Sequence, residues 1–180
     1  MIVCIGDSIT VGQHLDPPDV PWPVMLNTGP VLVRGVSGET TRQGLERFPR
    51  DVQMHEPELV VIQFGHNDCN RWETDRGLPR VSPEAYVANL GEMIDRCRRF
   101  GAVPYLCTLT PSRRSEQHAQ DVIWYDSLLR GVAAERGVAL IDTRAAFDAE
   151  PLDDLLVGDG LHLTGEGHRL YARTVSAVLA

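Results

Sequence analysis

The 180-residue chain reads as an α/β protein in which helices cover both faces of a parallel sheet. Three observations predict this. Five short apolar runs are continuous rather than alternating, as strands buried on both faces are. Helical patterns fall between the runs. Strand and helix alternate to the end without a repeat, a low-complexity tract or a linker, so residues 1–180 read as one domain.

The first strand is Ile2–Ile5 and the second Val31–Val33. Thr41–Gln53 is helical in composition, with Pro49 expected to kink or restart it. Leu59–Phe64 is the third strand. Ser82-Pro83 then supplies an N-cap and an N1 proline, and Tyr86, Leu90, Met93, Cys97 and Phe100 follow at helical spacing to a stop at Gly101. Val103–Thr108 is the fourth strand, Asp121–Arg136 a helix ended by Gly137, and Val138–Ile141 the fifth strand. A last helix follows Thr164, with Tyr171, Val175 and Val178 on one face.

Composition excludes several function classes. A net charge of −8 argues against a general nucleic-acid binder, which needs a basic surface to neutralise phosphates. No apolar run approaches membrane-spanning length. Cys4, Cys69, Cys97 and Cys107 have neither CxxC nor zinc-finger spacing, so free thiols are expected. Met1 leads straight into Ile2-Val3-Cys4-Ile5 with no basic or apolar leader pattern, and a cytoplasmic location is the expectation.

Function in open parallel sheets collects at the carboxyl ends of the strands. There the chain places Gly6-Asp7-Ser8, Gly35-Val36-Ser37-Gly38 and Gly65-His66-Asn67-Asp68, with Asp159-Gly160-Leu161-His162 following the fifth strand. Singly, each is an ordinary turn; order and location carry the argument. With strand order 2-1-3-4-5, the first three strands are neighbours, and their ends lie roughly 5–10 Å apart. Ser8, Gly38 and Asn67 then converge. The hydroxyl of Ser8 suits a nucleophile, and the backbone N–H groups of Ser8 and Gly38 with the Asn67 amide suit an oxyanion hole. His162 is the candidate base. Asp159, three residues earlier, can hold Nδ1–H and leave Nε2 toward Ser8.

GDSIT (6–10), SGETT (37–41), GHND (65–68) and DGLH (159–162), in that order, resemble the SGNH-hydrolase or GDSL-type esterase superfamily. The resemblance implies a three-layer, flavodoxin-like α/β/α fold with a five-stranded parallel sheet. It also implies Ser8 as nucleophile, Gly38 and Asn67 in the oxyanion hole, and Asp159–His162 completing a triad, with no cofactor and no metal. Ile9 replaces the usual leucine of GDSL, Arg34 stands where many members carry asparagine, and Glu39 where Asp or Asn often follows the glycine. None of these removes a catalytic group.

Around this set, Asp7 is expected to bond the backbone of its own turn. His66 is expected either to touch substrate or to orient its loop. His162 and His168 are six apart and do not share a helical face, which argues against a metal site with Asp159. His14, His55 and His118 show no partners and read as surface residues. The polar segment Cys69–Val81, with Trp72 and three arginines, is similar in character to GHND-bearing carbohydrate acetylesterases, and Arg113 follows the fourth strand; Trp72 and Arg113 are candidate substrate contacts. The expected partner is a small-molecule ester with a short acyl group, acetyl above all, on a polar, sugar-like or anionic alcohol. A lysophospholipase or thioesterase of the same superfamily is one alternative. A non-catalytic nucleotide- or phosphate-binding module is the other, although no GxxxxGK motif is present.

Overall fold

A computed structural model describes residues 1–180. The five strands are β1 (Ile2–Gly6), β2 (Val31–Gly35), β3 (Leu59–Gln63), β4 (Val103–Cys107) and β5 (Ala139–Ile141). All pair in parallel, in the order β2-β1-β3-β4-β5 that the sequence reading assumed. Cys4 sits between Val33 and Val61 in register, and Gly6 between Gly35 and Gln63, so three strand ends finish level with one another.

Alternate residues of a strand face opposite sides of the sheet, and both sides are apolar here. Val3, Ile5, Val60 and Ile62 belong to one core with helices α2 (Thr41–Asp51), α3 (Pro83–Arg99) and α4 (Glu116–Arg136). Ile2, Cys4, Val61 and Ile141 belong to the other. That second core is closed by α1 (Ser8–Val11), α5 (Thr143–Asp148), α6 (Leu152–Leu155) and α7 (Gly165–Leu179). Trp22, in a short 3₁₀ turn, stacks on Tyr171 of α7 with ring centroids 4.8 Å apart. Full burial of each such aliphatic side chain contributes roughly 1.5–3 kcal/mol. The two cores fix the sheet as a rigid platform under its carboxyl edge.

Several boundaries differ from the sequence expectations. Pro49 lies inside α2 without dividing it. It forfeits only the bond from position 49 to the Leu45 carbonyl, one turn before the helix ends at Asp51, so little helix remains beyond it to be redirected. Phe100 caps α3 and is half exposed instead of joining its buried face. Helix α4 starts at Glu116, five residues before Asp121, because the Ser115 hydroxyl accepts from the His118 N–H as an N-cap. Strand β5 begins at Ala139, and α5 and α6 are short helices with no apolar period long enough to reveal them. No helix is long and apolar enough to cross a membrane.

Candidate active site

Ser8 is the first residue of α1, immediately beyond the end of β1. Its N–H has no acceptor within that helix, because the first turn of any helix leaves its donors free. Asp7 caps the turn: Oδ1 accepts from Ile9 N–H at 3.0 Å, as expected for an Asp at this position. Its other oxygen, Oδ2, accepts from Asn67 Nδ2 at 3.3 Å. Asp7 is fully buried, and burial pushes its carboxyl up to about 7 against the hydrogen bonds that favour the charged form.

The Asp159–His162 segment crosses the sheet edge to reach this point. Leu156 and Leu163 form an antiparallel bridge, and Val157 N–H bonds His162 O at 2.9 Å, so the intervening residues form a tight loop. Gly160 has φ +71, and a Cβ there would meet the Arg113 backbone at 2.7 Å; the turn needs glycine on both counts. Asp159 Oδ1 accepts from the N–H groups of Leu161 and His162 at 2.9 and 3.0 Å, and Oδ2 meets His162 Nδ1 at 2.5 Å. His162 Nε2 lies 2.9 Å from Ser8 Oγ.

These bonds determine the tautomer. Partial burial pushes the Asp159 carboxyl up, but the imidazole and the two backbone donors outweigh that and hold it at about 2. Ionised, Asp159 can only accept, so Nδ1 carries the proton. Nε2 is then a bare lone pair, and the Ser8 hydroxyl donates to it. Ser8 and His162 are both buried, which keeps this pair from being dissipated by water.

Gly38 lies in the loop after β2 with φ +78, a conformation side chains avoid, and the space beside it is open. Three contacts pin this loop. Arg47 joins Glu39 at 2.5 Å and donates to the carbonyls of Gly6 and Arg34 at 3.1 and 3.0 Å. Asp68 accepts from the Thr41 N–H and hydroxyl, tying the loop after β3 to the start of α2. Arg80 donates to Gly38 O at 2.7 Å. Glu39, the departure noted in the second motif, thus serves a structural ion pair.

His66 is buried, and burial pushes its imidazole down to about 3, so it is neutral. Nε2 donates to Thr110 O at 3.0 Å, linking the loops after β3 and β4. Of the two roles expected for His66, this contact serves loop orientation. His118, read as a surface residue, is instead buried: Nε2 donates to His66 O at 3.1 Å and Nδ1 accepts from Ser112 at 2.8 Å. Ser112 is six residues away and His66 fifty-two, and only the folding of the loops after β3 and β4 against α4 brings both to the ring. His168 is also buried, with Nδ1 accepting from Trp22 N–H at 3.2 Å, far from any ligand role. His55 is partly buried against Arg34.

The Cys69–Val81 segment is held by Arg71, which grips Asp121 through two bonds of 2.7 and 2.9 Å. Trp72 is 48% exposed, and the Arg80 guanidinium lies 4.5 Å over its ring. Arg80 therefore joins Trp72 to the Gly38 loop, a link the sequence did not single out. These two residues line a polar cavity of about 320 Å³ with Thr40, Arg42, Gln43 and Asp75. Arg113 is exposed and paired with Asp153; it shares a different cavity with Asp159 and Gly160. His14 is exposed, as a surface residue should be, but it is not without partners. It lies beside the Asp159–His162 pair, its ring edge-on to His162 at 4.8 Å.

Residues 4–170 match the sequence profile of the GDSL-like Lipase/Acylhydrolase family. Among similar proteins, the Uncharacterized lipoprotein YqeF of Bacillus subtilis is 28% identical over 94% of this chain and 85% of its own length. The Acetylxylan esterase of Geobacillus stearothermophilus is 28% identical over 79% of this chain and 68% of its own. The Arylesterase of Vibrio mimicus is 31% identical over 56% of this chain, a match spanning about half of that enzyme (50%). Among solved structures, Axe2, an acetylxylan esterase from Geobacillus stearothermophilus, superimposes with a TM-score of 0.80 at 22% identity, covering 99% of this chain and 93% of Axe2.

Proposed function

The chain belongs to the GDSL-like lipase/acylhydrolase family, and from that premise we propose that it is a serine esterase removing short acyl groups, acetyl above all, from a polar, carbohydrate-like alcohol. One observation carries the chemistry: the hydrogen-bonded line from Asp159 through His162 to Ser8 Oγ, in the tautomer that leaves Nε2 ready to accept.

In this reading His162 Nε2 takes the Ser8 proton as Oγ attacks the ester carbonyl. The developing oxyanion is met by the N–H groups of Ser8 and Gly38 and by the Asn67 amide, whose second Nδ2 hydrogen is left free by Asp7. The imidazolium, stabilised by Asp159, returns its proton to the leaving alcohol. Water then repeats the sequence on the acyl-enzyme. No cofactor enters these steps, because every proton and charge is handled by a named group.

The substrate class rests on the Trp72–Arg80 wall beside Gly38. An aromatic face with surrounding polar side chains suits a sugar ring, and the arginines suit an acidic substituent. The similarity to an acetylxylan esterase points the same way. A thioesterase or lysophospholipase, the alternative within this chemistry, would keep its rate on long acyl chains. Rates on p-nitrophenyl esters from C2 to C16 discriminate between them: the acetylesterase reading predicts collapse beyond short chains. Ser8→Ala tests the chemistry itself. Retention of wild-type hydrolysis of p-nitrophenyl acetate by that variant would refute the nucleophile assignment.

A further inference from the structure

We propose that His14, Asp159 and His162 form a divalent-cation site, best suited to Zn²⁺, whose occupation switches the Ser8 site off. The switching half rests on the reading of Ser8 and His162 given above; the binding half stands without it.

One ligand atom from each of the three side chains lies within 4.8 Å of the others. His14 Nε2 is 3.9 Å from Asp159 Oδ2, and the His14 ring stands edge-on to His162 at an interplanar angle of 76°. Two imidazoles and a carboxylate are the donor set that zinc prefers over the harder magnesium and calcium. Tetrahedral zinc with bonds of about 2.0–2.1 Å holds its donors about 3.3 Å apart. To reach that spacing His14 would approach Asp159 by about 0.6 Å and His162 by up to about 1.5 Å, and the Asp159–His162 contact would open by about 0.8 Å. These movements are available because the side chains of His14 and Asp159 are 52% and 41% exposed, and His14 can do most of the moving. His14 gives up one weak competitor, the Gln13 amide 3.1 Å from its Nε2.

The consequence for His162 follows from its two nitrogens. In the metal-free site Nδ1 carries the proton and Nε2 the lone pair. Zinc at Nδ1 needs that lone pair, so the Nδ1 proton leaves to solvent and the neutral ring takes one up at Nε2. Nε2 then donates to Ser8 Oγ instead of accepting from it, and the base is gone. The cation locks the wrong tautomer. Asp159 is drawn to the metal at the same time and no longer orients the ring.

His14 is outside the proposed reaction, which makes it the residue to change. Zn²⁺ titrated into the wild-type protein is followed by calorimetry and, in parallel, by p-nitrophenyl acetate hydrolysis with EDTA reversal. The proposal expects one zinc per chain and loss of activity in step with occupancy. His14→Ala should hydrolyse the ester at the wild-type rate without zinc, yet bind zinc and be inhibited by it on the order of tenfold or more weakly. Equal zinc affinity in the two proteins, or no binding to the wild type, would overturn the site. His14-dependent binding without inhibition would overturn the switch. His14-dependent binding to a protein that hydrolyses no ester would support the site while sinking the esterase reading.

Discussion

Asn67 donates through Nδ2 to Asp7 Oδ2 at 3.3 Å, so the residue preceding Ser8 orients the side chain proposed to meet the oxyanion. Because Asp7 Oδ1 is occupied by the Ile9 N–H, one buried carboxylate sets both the turn that presents Ser8 and the amide opposite it. Asn67→Ala should lower kcat by roughly 10²–10³ with little change in KM, since an oxyanion donor acts mainly in the transition state. Steady-state kinetics on p-nitrophenyl acetate check this. A rise in KM at unchanged kcat would place Asn67 in ground-state binding instead.

Trp72 is predicted to serve the alcohol, not the acyl group. Trp72→Ala should raise KM for an acetylated sugar by roughly 5–30-fold, equivalent to about 1–2 kcal/mol of lost stacking. On p-nitrophenyl acetate, which has no sugar ring, the same variant should stay near the wild type. Equal losses on both substrates would assign the segment to structure alone.

Asp159 is held at about 2 by its three donors, so it stays ionised across the working range and its own titration does not shape the pH–rate profile near neutrality. Removing its charge is another matter. Asp159→Asn should cost on the order of 10⁴ in kcat, because an amide can hold the imidazole in the wrong tautomer. Measured kcat near neutrality checks this, and a loss below tenfold would show that Ser8 does not depend on the Asp159 carboxylate.

Buried imidazoles should make the fold acid-sensitive. Burial pushes His66 down to about 3 and His168 to about 4, while in the unfolded chain histidine titrates near 6.5. Below about 6.5 the unfolded state therefore binds more protons, and the stability these groups supply above that pH is lost progressively, down to about 4 for His168 and about 3 for His66. Asp7 and Asp68, raised by burial to about 7 and about 6, act with the opposite sign: their contribution is full below about 4 and is lost as pH rises through those values. His168→Asn keeps an acceptor for the Trp22 N–H and removes one titrating ring. Its stability deficit against the wild type, measured by urea unfolding, should shrink between pH 7 and pH 4, by at most about 1.4 kcal/mol per pH unit. Parallel stability curves would contradict this.

The sheet was legible because each strand is a continuous apolar run, a signal that survives without tertiary context. Ser8, Gly38 and Asn67 were legible because each closely follows one of three neighbouring strands, and His162 because Asp159 stands three residues before it in a short motif, although the loop that carries it to Ser8 was not. His14 and Arg80 were not. Each acts through a partner far along the chain or through a loop conformation, such as the φ of +69 at His14, that no local pattern encodes. His118 misled for the same reason: its bonds to His66 and Ser112 appear only once two strand-end loops are folded against α4. Arg113 follows the fourth strand as the sequence indicated, but its side chain turns to Asp153.

The most direct test of the central claim is covalent labelling by a fluorophosphonate ester, read by intact mass and peptide mapping. The account predicts one adduct per chain, on the peptide carrying Ser8, and none in Ser8→Ala or after His162→Ala removes the base. An unlabelled wild-type protein, or an adduct on any other residue, would contradict it.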